Sequence, residues 1–288
     1  QISSEYTAGD LSATGACSAT ACSNANGCIF IAGDTAADNV CQPFTTVMVV
    51  KQGAAIMAAG TVDMPITFTA NKNTLDLSLV ELASSDSAAV QGSRGLSARG
   101  NWGGLIVLGL ADIKGDSQRQ IEGLTQTALY GGFNDADNSG TLTYVRVWHG
   151  GASIAADNEI NGMTFGGVGS GTTIHHCEVA LNADDGFEFF GGNVNAQYLS
   201  SLFVGDDAFD TDKKYTGKMQ YLFALLGSKG NHAAEMDADY GDAERSAPQV
   251  MSFTAIGSKT NSGGSGSQHD AMMRLREGTG GLFGNIVL

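Results

Sequence analysis

The chain is expected to be all-β and to wind as a right-handed parallel β-helix, and three observations carry that expectation. The first is an internal echo: Asn182-Ala-Asp-Asp-Gly-Phe-Glu188 returns as Val204-Gly-Asp-Asp-Ala-Phe-Asp210 at an offset of 22 residues. Asp184 aligns with Asp206, Asp185 with Asp207, Phe187 with Phe209 and Glu188 with Asp210. A repeat of this length, with short strands and a turn in each unit, marks a solenoid in which equivalent positions stack into ladders. The second is an apolar strand-like run after each copy, over 196–204 and again over 219–226. The third is composition: 40 glycines and only 3 prolines suit many tight turns between short strands, and runs such as Thr45-Thr-Val-Met-Val-Val50 favour strand over helix.

Taken in order, residues 1–44 read as an irregular cap and 45–288 as the β-helix. A solenoid exposes apolar core and unpaired strand edges at its ends, so a cap there has a physical purpose. Cys17, Cys22, Cys28 and Cys41 fall within 25 residues rich in Ala, Ser, Asn and Gly. Such a segment has few core-forming side chains, and two disulfides are expected to staple it, with three pairings open. A zinc site is the rival reading, but no Cys-x-x-Cys spacing occurs. Strands are expected from Phe44 onward: at 46–51, at 54–57 after a turn at Gly53, and at 64–69 after a turn at Gly60. Residues 71–100 are polar and small and read as an excursion from the rungs, with a short helix near 75–83. Cys177 reads as a buried free thiol.

The net charge of −15 and pI near 4.5 argue against nucleic acid and anionic membranes as partners. No run of 18 apolar residues exists, so no membrane-spanning helix is expected. The start at Gln1 and the clustered cysteines lead to the expectation of a mature secreted chain, extracellular or at a cell surface. No Asn-x-Ser/Thr sequon occurs.

A family resemblance runs through Val49-Val-Lys-Gln-Gly-Ala-Ala-Ile-Met-Ala-Ala-Gly-Thr61, Pro65-Ile-Thr-Phe-Thr69 and Asn101-Trp-Gly-Gly-Leu-Ile-Val-Leu-Gly109. It continues through Ile121-Glu-Gly123, Tyr130-Gly-Gly132, Asp137-Asn-Ser-Gly-Thr-Leu-Thr-Tyr-Val145 and the run from Glu159 to Thr172, and ends with Asp184-Asp-Gly-Phe-Glu-Phe-Phe-Gly-Gly192 and Asp206-Asp-Ala-Phe-Asp-Thr-Asp212. Over about residues 45–288 the chain resembles secreted bacterial β-helix proteins that are surface-associated or lipoprotein-like. The resemblance implies the fold and carries little function. The right hand of the helix rests on it and on the general preference of parallel crossovers.

Chemistry concentrates in Asp184, Asp185, Glu188, Asp206, Asp207, Asp210 and Asp212. On stacked rungs these carboxylates would stand about 5 Å apart, a spacing that repels unless a cation or protons intervene. Calcium, which takes six to eight oxygen ligands, is the candidate cation; strand-end capping by side-chain-to-backbone bonds is the equal alternative. The same region resembles polygalacturonase-type β-helix hydrolases: Asn182-Ala-Asp184, Gly205-Asp-Asp207, Gly230-Asn-His232 and Arg274-Leu-Arg276 stand in that family's motif order. The resemblance implies Asp185, Asp206, Asp207 and His232 as an acid–base set on a glycosidic bond. It departs in an extra Asp in the first motif, a missing glycine after His232, and Arg-Arg at a longer spacing. The loop Asp135-Ala-Asp-Asn-Ser-Gly140 opens like a calcium loop, but its twelfth position is Arg146, so a tight turn before a strand over 141–147 is expected. Glu235-Met-Asp-Ala-Asp-Tyr-Gly-Asp242 is a further acidic loop and a calcium candidate. His175 and His176 are adjacent in an alternating run, which places one ring inward and one outward and disfavours a ligand pair. Phe187, Phe189, Phe190 and Phe209 read as stacked core aromatics. The glycine-rich stretch 262–267 is a loop without a phosphate-binding ending.

The functional expectation is an extracellular structural or adhesive β-helix, part of a surface layer or filament, self-associating and calcium-stabilised, with the chain stopping in mid-rung at Gly284-Asn-Ile-Val-Leu288. The alternatives are a polysaccharide-active enzyme and a non-catalytic carbohydrate-binding module.

Overall fold

The structure, a computed structural model, describes residues 46–70, 99–115, 117–124, 127–152, 160–227, 229–238, 245–258 and 271–288, and the backbone of 28–31 and 40–43. The chain divides into two compact units, Gln1–Phe44 and Thr45–Leu288. In the first, strand β1 (Cys28–Ile31) pairs antiparallel with β2 (Val40–Pro43), Phe30 opposite Cys41 and Cys28 opposite Pro43. Cys17, Cys22 and the side chains of Cys28 and Cys41 lie outside the described residues, and the stapled cap lies there with them.

The second unit is a parallel β-helix. Its strands are β3 (Met48–Val50), β4 (Ile56–Ala59), β5 (Ile66–Thr69), β6 (Leu105–Leu108), β7 (Arg119–Gln120), β8 (Leu129–Tyr130), β9 (Gly140–Thr143), β10 (Val145–Trp148) and β11 (Met163–Gly166). They continue as β12 (Thr173–Ala180), β13 (Phe187–Phe190), β14 (Asn195–Leu202), β15 (Phe209–Asp212), β16 (Lys218–Leu225), β17 (Ala234–Met236), β18 (Gln249–Ile256), β19 (Met273–Leu275) and β20 (Leu282–Val287). The first sheet runs β3-β6-β11-β13-β15-β17-β19, and the second runs β5-β10-β12-β14-β16-β18-β20 with β9 beside β12 and β4 beside β9. Every pairing in both sheets is parallel. Strand order alternates between sheets, so each circuit lays one strand on each and advances by one rung. No helix occurs among the described residues.

The 22-residue echo sets the register: Phe187 pairs with Phe209 and Glu188 with Asp210. Inward positions of the first sheet build the core. Phe187 stacks on Phe209 at 5.4 Å and Phe165 on Phe189 at 5.1 Å, and Tyr215 closes beneath Phe189 while donating its hydroxyl to the Val194 carbonyl at 2.8 Å. Phe190 is buried but faces the other way. Between β6 and β9 the chain leaves the rungs, forms the antiparallel β7–β8 pair, and lays Ile113, Ile121, Ala128 and Tyr130 over Ile106, Leu108 and Phe190. This second apolar cluster is why β6 and β13 are buried at every position instead of alternating. The excursion anticipated at 71–100 lies outside the described residues from 71 to 98, and the short helix near 75–83 lies with it.

The second sheet turns a corner in mid-strand. Tyr144, His176, Tyr198, Tyr221, Ser252 and Asn285 occupy equivalent places with φ between 51° and 62°. One left-handed residue bends each strand while register resumes beyond it, His175 opposite Gln197 and Cys177 opposite Leu199. The bend corrects the reading of His175 and His176: simple alternation puts one ring inside, whereas the left-handed residue puts both outside, between buried Ile174 and Cys177. Cys177 is a free, buried thiol pushed up to about 12 by burial, its Sγ 3.4 Å from the Leu142 carbonyl.

Candidate acid–base and cation site on the first sheet

The site stands on the outer face of the first sheet and the turns that lead into it. Gly162, Gly186 and Ala208 donate their N–H groups to the carbonyls of Asp185, Asp207 and His232 on the next rung, which stacks Asn161, Asp185, Asp207 and His232. Gly205 is required where it is, because a Cβ there would strike the Ala183 carbonyl of the preceding rung. Asn182 fixes the Asp184–Asp185 turn from inside, donating Nδ2 to the carbonyls of Asp185 at 2.8 Å and Ile160 at 3.1 Å.

Carboxylates then cross-link the rungs. Asp185 Oδ1 accepts the Asp207 N–H at 2.8 Å, and Asp207 Oδ1 accepts both the His232 N–H at 2.5 Å and the His232 Nδ1 proton at 2.9 Å. His232 is fully buried, and its Nε2 has no hydrogen-bond partner among the described residues. Three residues further along each rung, the outward row runs Ile106, Thr164, Glu188, Asp210, Glu235, Arg274. Asn161 donates Nδ2 to Glu188 Oε2. Glu235 meets Arg274 Nη1 at 3.3 Å and Arg276 Nη2 at 2.9 Å, and Asp237 holds Arg276 through Nε at 2.7 and 2.8 Å.

Three triads each bring their donor atoms within 4.8 Å: Asp184, Asp185, Asp206; Asp185, Glu188, Asp210, which shares Asp185 with the first; and Asp207, His232, Glu235. Burial is the largest force on the carboxyls of Asp185, Glu188 and Asp210. It pushes Asp185 well up, with Asp184 and Asp207 adding repulsion; Glu188 well up, with Glu122 and Asp210; and Asp210 well up, with Asp207 and Asp237. Asp210 Oδ1 is buried without a hydrogen-bond partner among the described residues. Burial and Asp207 raise Glu235 to about 7 despite Arg276. The hydrogen bond to Asp207 raises His232, and the bond to Asp237 keeps Arg276 firmly cationic.

Of the acidic residues singled out in the sequence, Asp184, Asp185, Glu188, Asp206, Asp207 and Asp210 converge here together with His232. Asp212 sits one outward position further on and pairs with Lys213 Nζ at 2.6 Å. The Asp135 loop is a turn: Asp135 Oδ1 accepts the Asp112 N–H, Asp137 Oδ2 accepts the Ser139 hydroxyl and Asn138 Oδ1 accepts the Gly140 N–H. Of the loop starting at Glu235, residues 239–242 lie outside the described residues, as does the stretch 262–267. Sequence reasoning missed Asn161 and Glu122. Asn161 was legible as the residue two before β11, the place Asp185 holds before β13. Glu122 had no such signal, since it comes from the non-repeating excursion to bond Glu188 and Asn161, and its own carboxyl is raised by burial and by Asp212.

Oxygen-only donors in the first two triads suit a hard cation such as calcium, and the unpartnered Asp210 oxygen leaves a ligand atom to spare. The third triad, with an imidazole beside a carboxyl raised to about 7 and two arginines, suits proton transfer.

A family model described as a pectate-lyase-like β-helix domain matches residues 84–288, more than half of the chain. The chain belongs to that family. No curated protein and no solved structure matches it. Among the described residues no helix is long and apolar enough to cross a membrane.

Proposed function

We propose that this β-helix acts outside the cell on an acidic polysaccharide, with Asp207, His232 and Glu235 as its acid–base centre and Arg274 and Arg276 as the anchor for a sugar carboxylate. The observation that carries the reading is Glu235, a carboxyl raised to about 7 that touches both arginines and lies beside the buried His232–Asp207 pair. A carboxyl that keeps its proton to neutrality is fitted to protonate a leaving glycosidic oxygen. Asp184 and Asp206, half-buried at the rim, are the carboxylates an attacking water would meet. A lyase would instead act by elimination, which needs a base at the sugar carbon. Arg276 is held cationic by Asp237, so it anchors charge and hydrolysis is the better fit. Calcium in the oxygen triads would neutralise the ladder and help bind an anionic sugar. The test is product release from a panel of acidic polysaccharides, read as new reducing ends and as unsaturated-uronate absorbance. Hydrolysis by the wild type and at least about a hundredfold loss in Glu235→Gln support the reading; release by elimination, or full activity in Glu235→Gln, rejects it.

A second reading has its own support: Asp185, Glu188, Asp207 and His232 are each less than a tenth exposed, as suits a ladder bracing a structural or adhesive protein around a cation. Electron microscopy with calcium and then with chelator separates the two, since ordered filaments that fall apart on chelation belong only to the structural protein.

A further inference from the structure

The bend in the second sheet carries a feature that the acid ladder does not use. His176 lies in a column of rings, stacked on Tyr144 at 4.5 Å and 15° and on Tyr198 at 4.4 Å and 19°, and Tyr221 extends the column at 4.7 Å. His175 stands edge-on to His176, with ring planes at 87°. The two Nδ1 atoms face each other at 2.9 Å. Both rings are half-buried, and His176 borders an open cleft of about 370 Å³ whose lining includes Arg146, Glu178, Tyr198 and Tyr221.

We propose that His175 and His176 form a two-imidazole site for a borderline divalent transition metal, copper(II) foremost, at the wall of this cleft. The argument is geometric. Two imidazole nitrogens each about 2.0–2.1 Å from an ion stand about 2.9 Å apart when they are cis at a right angle, and about 3.3–3.4 Å apart at a tetrahedral angle. The observed separation matches the cis value and is also that of an N–H···N hydrogen bond, so copper(II) is placed first by the order of divalent affinities and not by this distance. Without an ion, the contact needs one proton between the two nitrogens. Binding displaces that proton to solvent while the ring that carried it takes up a proton at its Nε2, so both imidazoles bind in the neutral form. The sandwich between Tyr144 and Tyr198 fixes the His176 ring before an ion arrives. The cleft that His176 borders has room for water or an oxygen ligand.

The experiment uses the whole chain titrated with copper(II) sulfate, with stoichiometry by equilibrium dialysis and ligand type by electron paramagnetic resonance. Asparagine tolerates the left-handed backbone at 176, so the variants are His175→Gln and His176→Asn, with Asp207→Asn as a control in the acid ladder. The expected result is a wild-type spectrum split by two nitrogens and affinity at least about tenfold weaker in each histidine variant, since even outer-sphere changes cost that much. Asp207→Asn should leave both readouts unchanged. An oxygen-only spectrum in the wild type, unchanged binding in both histidine variants, or loss of the ion in Asp207→Asn alone would overturn the site. The wild-type spectrum decides the matter even if a variant folds poorly.

Discussion

The outer row of the first sheet and the bend of the second are built by one rule and end in opposite states. Each repeats one kind of side chain on successive rungs. At the bend the repeated residue is an aromatic ring, Tyr144, His176, Tyr198, Tyr221, and stacking at 4.4–4.7 Å is favourable at every step. On the first sheet the repeated residue is a carboxyl, Glu188, Asp210, Glu235, and each step adds repulsion to a group already stripped of water. A solenoid multiplies whatever a position holds. Rings tolerate that without help; carboxyls require protons, a cation or the two arginines of the last described rung. A ladder that costs stability and persists is where function is sought.

The widest break between the two ladders should come from pH. Asp185, Glu188, Asp210 and Glu235 hold protons more tightly when folded than when unfolded. Their contribution is therefore complete below the ordinary carboxylate range and is lost as pH climbs, for Glu235 through about 7. His232, raised in the fold, works in the same direction. Urea unfolding should show stability a few kcal/mol greater at pH 5 than at pH 8, since each tenfold gain in proton affinity on folding is worth about 1.4 kcal/mol. A flat or rising profile contradicts the assignment.

Calcium offers the next test. If the oxygen triads bind it, calcium at about a hundred times its dissociation constant should add about 2.7 kcal/mol at pH 8, and much less at pH 5, where protons hold the same oxygens. An equal rise in melting temperature at both pH values would place the ion elsewhere. Asp210→Asn sharpens the contrast, because removing one buried charge without changing shape should stabilise the protein at pH 8 by about 1–3 kcal/mol and do little at pH 5. The smallest effect belongs to the ring column. Tyr198→Ala removes two stacked neighbours, costing about 1–3 kcal/mol at about 0.5–1.5 per pair, equally at pH 7 and pH 9. Tyr198→Asn should cost less, since asparagine accepts the left-handed backbone that alanine resists.

The fold and half of the site were legible because they repeat. The 22-residue echo places Phe187 on Phe209 and Glu188 on Asp210, and that register is the one observed. Whatever breaks repetition was not legible. Glu122 and Tyr130 reach the first sheet through an excursion that no other described rung copies. Alternation sends His175 and His176 to opposite faces because it assumes a straight strand, and a single residue at φ 55° cancels it. Arg274 and Arg276 are visible as a motif, but their ion pairs with Glu235 and Asp237 depend on rung lengths that differ between turns, 25 residues from Asp210 to Glu235 and 39 from Glu235 to Arg274.

The claim on which the account turns is that the ladder holds its protons well above the ordinary carboxylate range. Carbon-13 labelling of Asp and Glu side chains, followed by NMR from pH 3 to pH 9, measures it directly. The account predicts a set of carboxyl resonances that titrate well above the usual range, one of them near 7 and missing from Glu235→Gln. Carboxyl resonances that all titrate in the ordinary range about 3.9–4.3 would show an ionised ladder and contradict it.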